Sequence, residues 1–196
     1  MFRLLAPADY RTMPWKNGGG HTTEIAAFPS GAELDAFLWR VSLADVGGDG
    51  PFSSFPGVER TIVLLEGAGM RLQEGGRTAE LAVPYAPHAF SGDAAIDCRL
   101  IAGPIRDFNA MSRRGRACGS VTVVRECEAE FGPAQFRLAY AVTGVHECRG
   151  VTAAPIRLEA GHALLVTGAE ASDAPSLAIR PLGADAVAFV VSVNCS

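Results

Sequence analysis

Apolar and polar positions along this chain alternate in short bursts, and a turn signal ends each one. Phe37, Trp39, Val41 and Leu43 alternate with Leu38, Arg40, Ser42 and Ala44, the period-two pattern of a strand with one apolar and one mixed face. Residues 60–65 predict a further strand, closed by Glu66-Gly67-Ala68-Gly69, and residues 70–73 continue it as a hairpin up to the turn at Glu74-Gly75-Gly76-Arg77. Residues 81–91 hold Pro84 and Pro87, which confine that segment to a sheet edge or a loop because proline cannot donate to a central ladder. Residues 96–102 read as a strand, whereas 105–112 suit at most a turn or two of helix. Residues 121–127, 136–142, 162–166, 177–179 and 187–193 are again strand-like, and in the last of these Val187, Phe189, Val191 and Val193 share one apolar face.

Brief strands separated by glycine and proline about every ten residues are the rhythm of an all-β sandwich or barrel. The basic, glycine-containing stretch Ser112-Arg113-Arg114-Gly115-Arg116 reads as a seam between two halves, residues 1–115 and 116–196. At 196 residues the chain is long enough for one large domain or two small ones to bury a core. A net charge of −4 gives no electrostatic footing for nucleic acid or a membrane surface, so neither is expected as a partner. No apolar run approaches the roughly 20 residues that span a bilayer. The apolar start of the chain is too short for a secretory signal and Asp9 comes directly after it, so a cytoplasmic protein is expected. Cys98, Cys118, Cys127, Cys148 and Cys195 contain no C-x-x-C pair, which argues for idle or buried thiols rather than a disulfide framework or a zinc ribbon.

The densest chemistry lies near the start, at Met13-Pro-Trp-Lys-Asn-Gly-Gly-Gly-His-Thr-Thr-Glu24. Three consecutive glycines are costly to order and suit a backbone that takes positive φ or comes close to something else. Trp15, Lys16, Asn17, His21, Thr22, Thr23 and Glu24 surround them, which fits either a binding loop or a structural turn. The spacing matches neither phosphate-cradling glycine motif, and the residues after the glycines are strand-like rather than helical. The four histidines, His21, His88, His146 and His162, are dispersed. His146 and Cys148 would share a strand face as a pair of metal ligands, but no third is at hand. No G-x-S-x-G elbow is present. The cations of the first half are more informative: Lys16 beside the glycines, Arg40 two residues from Ser42 on one strand face, and Arg60 opening the next strand, with Asn109 in an Asp-Phe-Asn segment. Guanidinium forks match carboxylates bidentately, so this set suits a small di-acid. The alternative is that Arg40 and Arg60 are solvated, or pair with Glu59, Glu66 or Asp107.

Several of these words occur together in one family. Pro14-Trp-Lys-Asn-Gly-Gly-Gly-x-Thr22-x-Glu24-Ile25, Trp39-Arg-Val-Ser42-x-Ala44, Asp49-Gly-Pro-Phe-Ser53-x-Phe55-Pro-Gly57-x-x-Arg60, Leu64-Leu65-x-Gly67-x-Gly69 and Gly103-Pro104-x-x-Asp107-Phe-Asn109-x-Met111 strongly resemble the HutD/Ves family. The match runs in order over residues 13–111, and the last 80 or so residues match only in general character. The resemblance implies a bicupin, two cupin jelly-roll barrels in one chain, and a link to histidine utilisation. There, family members are thought to bind an intermediate such as formylglutamate or urocanate and to restrain pathway expression. No catalytic activity comes with it, and the choice between the HutD and Ves branches stays open. Metal-binding cupins carry an H-x-H…E set, but here the first position reads Phe52-Ser-Ser-Phe-Pro-Gly57 and only a Pro84-x-x-Pro87-His88 echo remains, so neither metal nor cofactor is expected. On this reading the first barrel holds a small anionic metabolite. Lys16, Arg40 and Arg60 supply charge, Asn17, Ser42 and Asn109 orient the ligand, Gly18 and Gly19 offer backbone N–H groups, and Trp15 or Phe55 excludes water. The competing expectation is a metal-free enzyme using Glu24 with His21 or His88 as acid and base, and a third is a protein-binding scaffold. Exposed barrel edges predict a homodimer.

Overall fold

The computed structural model of the chain describes residues 1–15, 18–168 and 175–196. It is all-β, as the strand rhythm predicts, and it divides into two units, one formed by Arg11–Arg116 and the other by Met1–Tyr10 together with Ala117–Ser196. No helix among the described residues is long and apolar enough to cross a membrane.

Strand β1 (Phe2–Leu5) opens the chain, and among the described residues ten strands then build the Arg11–Arg116 unit. These are β2 (Arg11–Pro14), β3 (Gly20–Phe28), β4 (Trp39–Val46), β5 (Gly50–Pro51), β6 (Val58–Glu66), β7 (Met70–Glu74), β8 (Arg77–Leu81), β9 (Pro87–Ser91), β10 (Asp97–Leu100) and β11 (Ile105–Arg113). A six-stranded sheet of order β2-β3-β4-β11-β6-β9 accompanies a four-stranded sheet of order β5-β10-β7-β8. The second unit adds β12 (Ala117–Val124), β13 (Ala129–Phe131), β14 (Phe136–Thr143), β15 (Val145–Arg149), β16 (Ile156–Glu159), β17 (Ala163–Thr167), β18 (Leu177–Pro181) and β19 (Val187–Cys195). Its sheets run β1-β17-β14-β19-β12 and β13-β18-β15-β16.

Three features differ from the sequence expectation. The first ten residues belong to the C-terminal unit, not to residues 11–115. Phe2–Leu5 pairs with Val166–Ala163, the N-terminal amine donates to the Thr167 carbonyl at 2.7 Å, and the Tyr10 hydroxyl donates to the Gly161 carbonyl at 2.7 Å. Residues 105–112 are not helical but form the interior strand β11, between β4 and β6. Both faces of this strand are buried, so the polar-apolar alternation that marks a half-exposed strand is missing. Finally, β7 does not fold back on β6. Its hairpin partner is β8, and it lies in the other sheet of the unit. The two prolines of residues 81–91 do leave β9 at a sheet edge.

Alternation on β4, β11 and β6 decides what faces the interior of the Arg11–Arg116 unit. Ala44, Val46, Ile62, Leu64 and Ile105 pack with Met70, Leu72, Leu81 and Cys98 from the other sheet and with Ile96 just ahead of β10. That apolar core occupies part of the interior. Most of the remaining inward positions on the same three strands, Arg40, Ser42, Arg60, Asp107 and Asn109, are polar, with Met111 among them.

Candidate functional site

Cross-strand register sets these polar positions in rows. Glu24, Ser42, Asn109 and Ile62 lie side by side across β3, β4, β11 and β6, and Arg40, Met111, Arg60 and Phe90 form the neighbouring row across β4, β11, β6 and β9. One step away on β11, Asp107 lies between Ala44 and Leu64. Arg40, Ser42, Arg60, Asp107, Asn109 and Met111 line one cavity of about 530 Å³. Trp15, Gly19, Thr22, Asp49, Phe52, Ser53, Phe55 and Cys98 complete much of its wall.

Neither arginine is solvated: Arg40 is 4% and Arg60 6% exposed. Arg40 Nε donates to Glu24 Oε2 at 2.7 Å, an ion pair largely removed from water. A bulge in β3 leaves Glu24 in register with Ser42 and Ala26 with Val41, the kind of irregularity that re-aims a side chain. Arg60 is held differently. Its guanidinium lies 4.9 Å from the Phe90 ring centroid, 5.3 Å from Phe55 and 5.4 Å from Phe52. Its Nη2 donates to Asn109 Oδ1 at 3.0 Å and its Nη1 to the Ser53 carbonyl at 3.3 Å, while Nε has no partner. Burial, opposed by Asp107 and reinforced by Arg40, lowers the Arg60 pKa to about 10. The side chain is still a cation at neutral pH, but one stripped of its hydration and surrounded by aromatic faces.

Asn109 links this cation to an acid. Its Nδ2 donates to Asp107 Oδ1 at 2.8 Å, while Asp107 Oδ2 has no hydrogen-bond partner. Asp107 is 1% exposed, and burial is the main cause that raises its carboxyl to about 7, against the lowering effects of Asn109 and Arg60.

The structure thus brings Arg40, Ser42, Arg60, Asn109 and Gly19 of the sequence-predicted set to one cavity. Lys16 and Asn17 lie outside the described residues. Gly18 takes φ +71°, and a Cβ on Gly20 would collide with the carbonyl oxygen of Asp45. The glycine run therefore meets both demands, left-handed backbone and close approach. Trp15 and Phe55 both form wall, and Trp15 Nε1 donates to Thr22 Oγ1 at 2.8 Å. The acid–base set of the enzyme reading is dispersed. Glu24 is engaged with Arg40, His21 Nε2 pairs with Asp45 at 3.0 Å, and His88 stacks by Phe90 at the sheet edge. Neither histidine lines the cavity. Asp107, Phe52 and Phe90 are the site groups that sequence reasoning missed. The i, i+2 relation of Asp107 to Asn109 was the available signal, readable only once 105–113 is recognised as a strand.

The HutD family model matches residues 7–181. This chain belongs to the HutD family. It is 49% identical over 107 residues to an uncharacterised 21.2 kDa protein in the hutC 3′ region of Pseudomonas putida, covering 55% of this chain and 56% of that one. It is 41% identical over 128 residues to protein Ves of Citrobacter koseri, covering 63% and 66%. These alignments span little more than half to about two-thirds of the curated relatives' length. HutD from Pseudomonas fluorescens SBW25 superposes with a TM-score of 0.85 at 33% identity over 100% of both chains. The cupin fold implied by the resemblance is the fold of this family member.

Many cupins hold a metal, and the residues of this cavity do not fit one. Two guanidinium groups face the space a cation would occupy, and among the described residues no three of His, Cys, Asp and Glu gather as ligands. His146 and Cys148 are both buried on β15 of the other unit, and among the described residues no third ligand joins them.

Proposed function

We propose that the cavity of the Arg11–Arg116 unit binds a small carboxylated metabolite without a metal, and that this family member modulates histidine utilisation through that ligand. Formylglutamate and urocanate are the ligands the family resemblance favours. A single observation carries the reading: Arg60 is a desolvated cation bordering a cavity of about 530 Å³, its Nε unpartnered and its planar faces covered by phenyl rings. A buried cation of this kind is costly unless an anion shares its surroundings, and a carboxylate offers the planar match. The volume lies within the range of small-molecule sites. Ser42 and Asn109 beside it supply polar groups to fix orientation.

Isothermal calorimetry with N-formylglutamate and urocanate tests this. The wild-type chain should bind at least one of them saturably, with the ligand recovered unchanged. Arg60→Met keeps the volume and apolar contacts but removes the charge, so affinity should fall about a hundredfold or more in a chain whose circular dichroism shows it still folded. Undiminished affinity in a folded Arg60→Met chain would remove the assignment, and recovery of altered ligand would move the chain to the enzyme class.

A further inference from the structure

The proposed function leaves one buried group unaccounted for, the carboxyl of Asp107. An acid beside an anion site would ordinarily repel the ligand, so its protonation state decides whether the cavity works. The hydrogen-bond chain fixes where a proton on this acid must sit. A guanidinium only donates, so Asn109 must present Oδ1 to Arg60 and therefore Nδ2 to Asp107. That amide donation occupies Asp107 Oδ1 as an acceptor. A proton on the carboxyl therefore resides on Oδ2, the oxygen with no partner, on a side chain that is 1% exposed and lines the cavity.

We propose that Asp107 reads the anion in its protonated form, Oδ2–H donating to a ligand carboxylate drawn in by Arg60, so that wherever the carboxyl is ionised beforehand, as it is above neutral pH, anion binding brings a proton from solvent onto Asp107. This rests on the anion-binding reading above. The proton balance is simple: one proton passes from bulk water to Oδ2 as the ligand enters, and no covalent bond to the ligand changes. In the ionised form, Oδ2 would oppose the ligand as a like charge at close range in a medium of low polarity. In the protonated form it adds a charge-assisted hydrogen bond beside the guanidinium.

Burial already raises this carboxyl to about 7, so both forms are populated near neutrality and a bound anion raises it further. Among the described residues, the charged and titratable groups around Asp107 are Arg60 from β6, Arg40 and Asp45 from β4, Cys98 from β10, Asp49 ahead of β5, and Glu24 behind Arg40. Arg60, lowered to about 10, and Cys98, raised to about 12, keep their charge state between pH 6 and 8.

The test is calorimetry of the full chain with N-formylglutamate and with glutarate, at pH 6, 7 and 8, in buffers of low and high ionisation enthalpy. Binding should weaken about tenfold from pH 6 to pH 8, with proton uptake approaching one per ligand at pH 8 and shrinking at pH 6. Asp107→Asn keeps a donor of the same shape without the titration, and should bind with the same affinity at all three values. Binding by wild type with identical heats in both buffers overturns the proton coupling and leaves the anion site standing. Unaltered pH dependence in Asp107→Asn reassigns the proton to another group and also overturns it. If neither compound binds at any pH, the site reading and the coupling fall together.

Discussion

Arg60 on β6 and Arg137 on β14 are both buried on interior strands of the larger sheet of their unit, both with Nε unpartnered, and they differ in what surrounds them. Arg137 on β14 is completely buried, with Nη1 donating to the Phe131 carbonyl at 2.9 Å and Nη2 donating to the Pro175 carbonyl. Around it, Ala139, Ala141, Leu164, Val166 and Val190 make an apolar core. Arg60 on β6 has one amide, one long contact to a carbonyl, three phenyl faces and a cavity. A guanidinium whose terminal nitrogens are both taken by backbone carbonyls ties segments together. One confined by aromatic rings beside open volume keeps its charge available. The Arg11–Arg116 unit extends this pattern to Asp107, Asn109, Ser42 and Arg40, whereas among the described residues of the second unit the only other buried polar side chain is His146. The first interior gathers its buried polar groups around a cavity, whereas in the second Arg137 ties the Phe131 and Pro175 segments together and both ring nitrogens of His146 are without a hydrogen-bond partner.

The sharpest way to break this contrast is to remove the most costly group of the first interior. Asp107 has its carboxyl raised by burial from the ordinary 3.8 to about 7. Between those values the folded chain retains a proton that the unfolded chain has released, so stability contributed by the protonated acid is complete at low pH and lost as pH rises through about 7. Asp107→Asn should therefore match wild type near pH 4 and exceed it by about 2–4 kcal/mol at pH 8, by urea unfolding measured across that range. A difference that does not change with pH would mean Asp107 is no burden, and the contrast would fail on its first side. The second side is tested by Arg137→Leu. Leaving the Phe131 and Pro175 carbonyls without their donor should cost about 3 kcal/mol. Calorimetric unfolding should show that loss in full, and no loss at all would make the two arginines equivalent.

Legibility in the chain divides along the same line. Arg40, Ser42, Arg60 and Asn109 were legible because each sits inside a distinctive local word, and strand parity then carries them to one side of a sheet. Asp107 was visible only as a partner for an arginine, because a strand buried on both faces shows no alternation and 105–112 therefore lacked a strand signature. The phenyl cage was harder still. Phe52 and Phe55 come from a turn-rich connection and Phe90 from an edge strand, and only the closed fold brings them around Arg60. Likewise, the pairing of Phe2–Leu5 with residues 163–166 bridges about 160 positions and leaves no local trace. The sequence thus marks polar groups that face inward, while the neighbours that set their energetics come from distant segments.

The smallest expected effect concerns Glu24, and it decides what the Arg40 pair is for. Glu24 Oε2 accepts from Arg40 Nε at 2.7 Å with both side chains largely withdrawn from water, so Arg40 contributes little net charge to the cavity. Glu24→Gln keeps an oxygen that can accept this hydrogen bond but deletes the compensating charge. The chain should lose about 1–2 kcal/mol of stability, less than a full break of a buried pair because the hydrogen bond survives. At the same time Arg40 becomes a second uncompensated cation, so affinity for N-formylglutamate should rise severalfold, and the gain should shrink with added salt. The opposite result is equally informative. If affinity falls in Glu24→Gln, the carboxylate is contacting the ligand rather than muting Arg40, and Glu24 joins Asp107 as a second acid that the bound molecule must satisfy. A ligand satisfying both acids would need a hydrogen-bond donor as well as its carboxylate, which would favour an N-acylated amino acid over a simple di-acid such as glutarate.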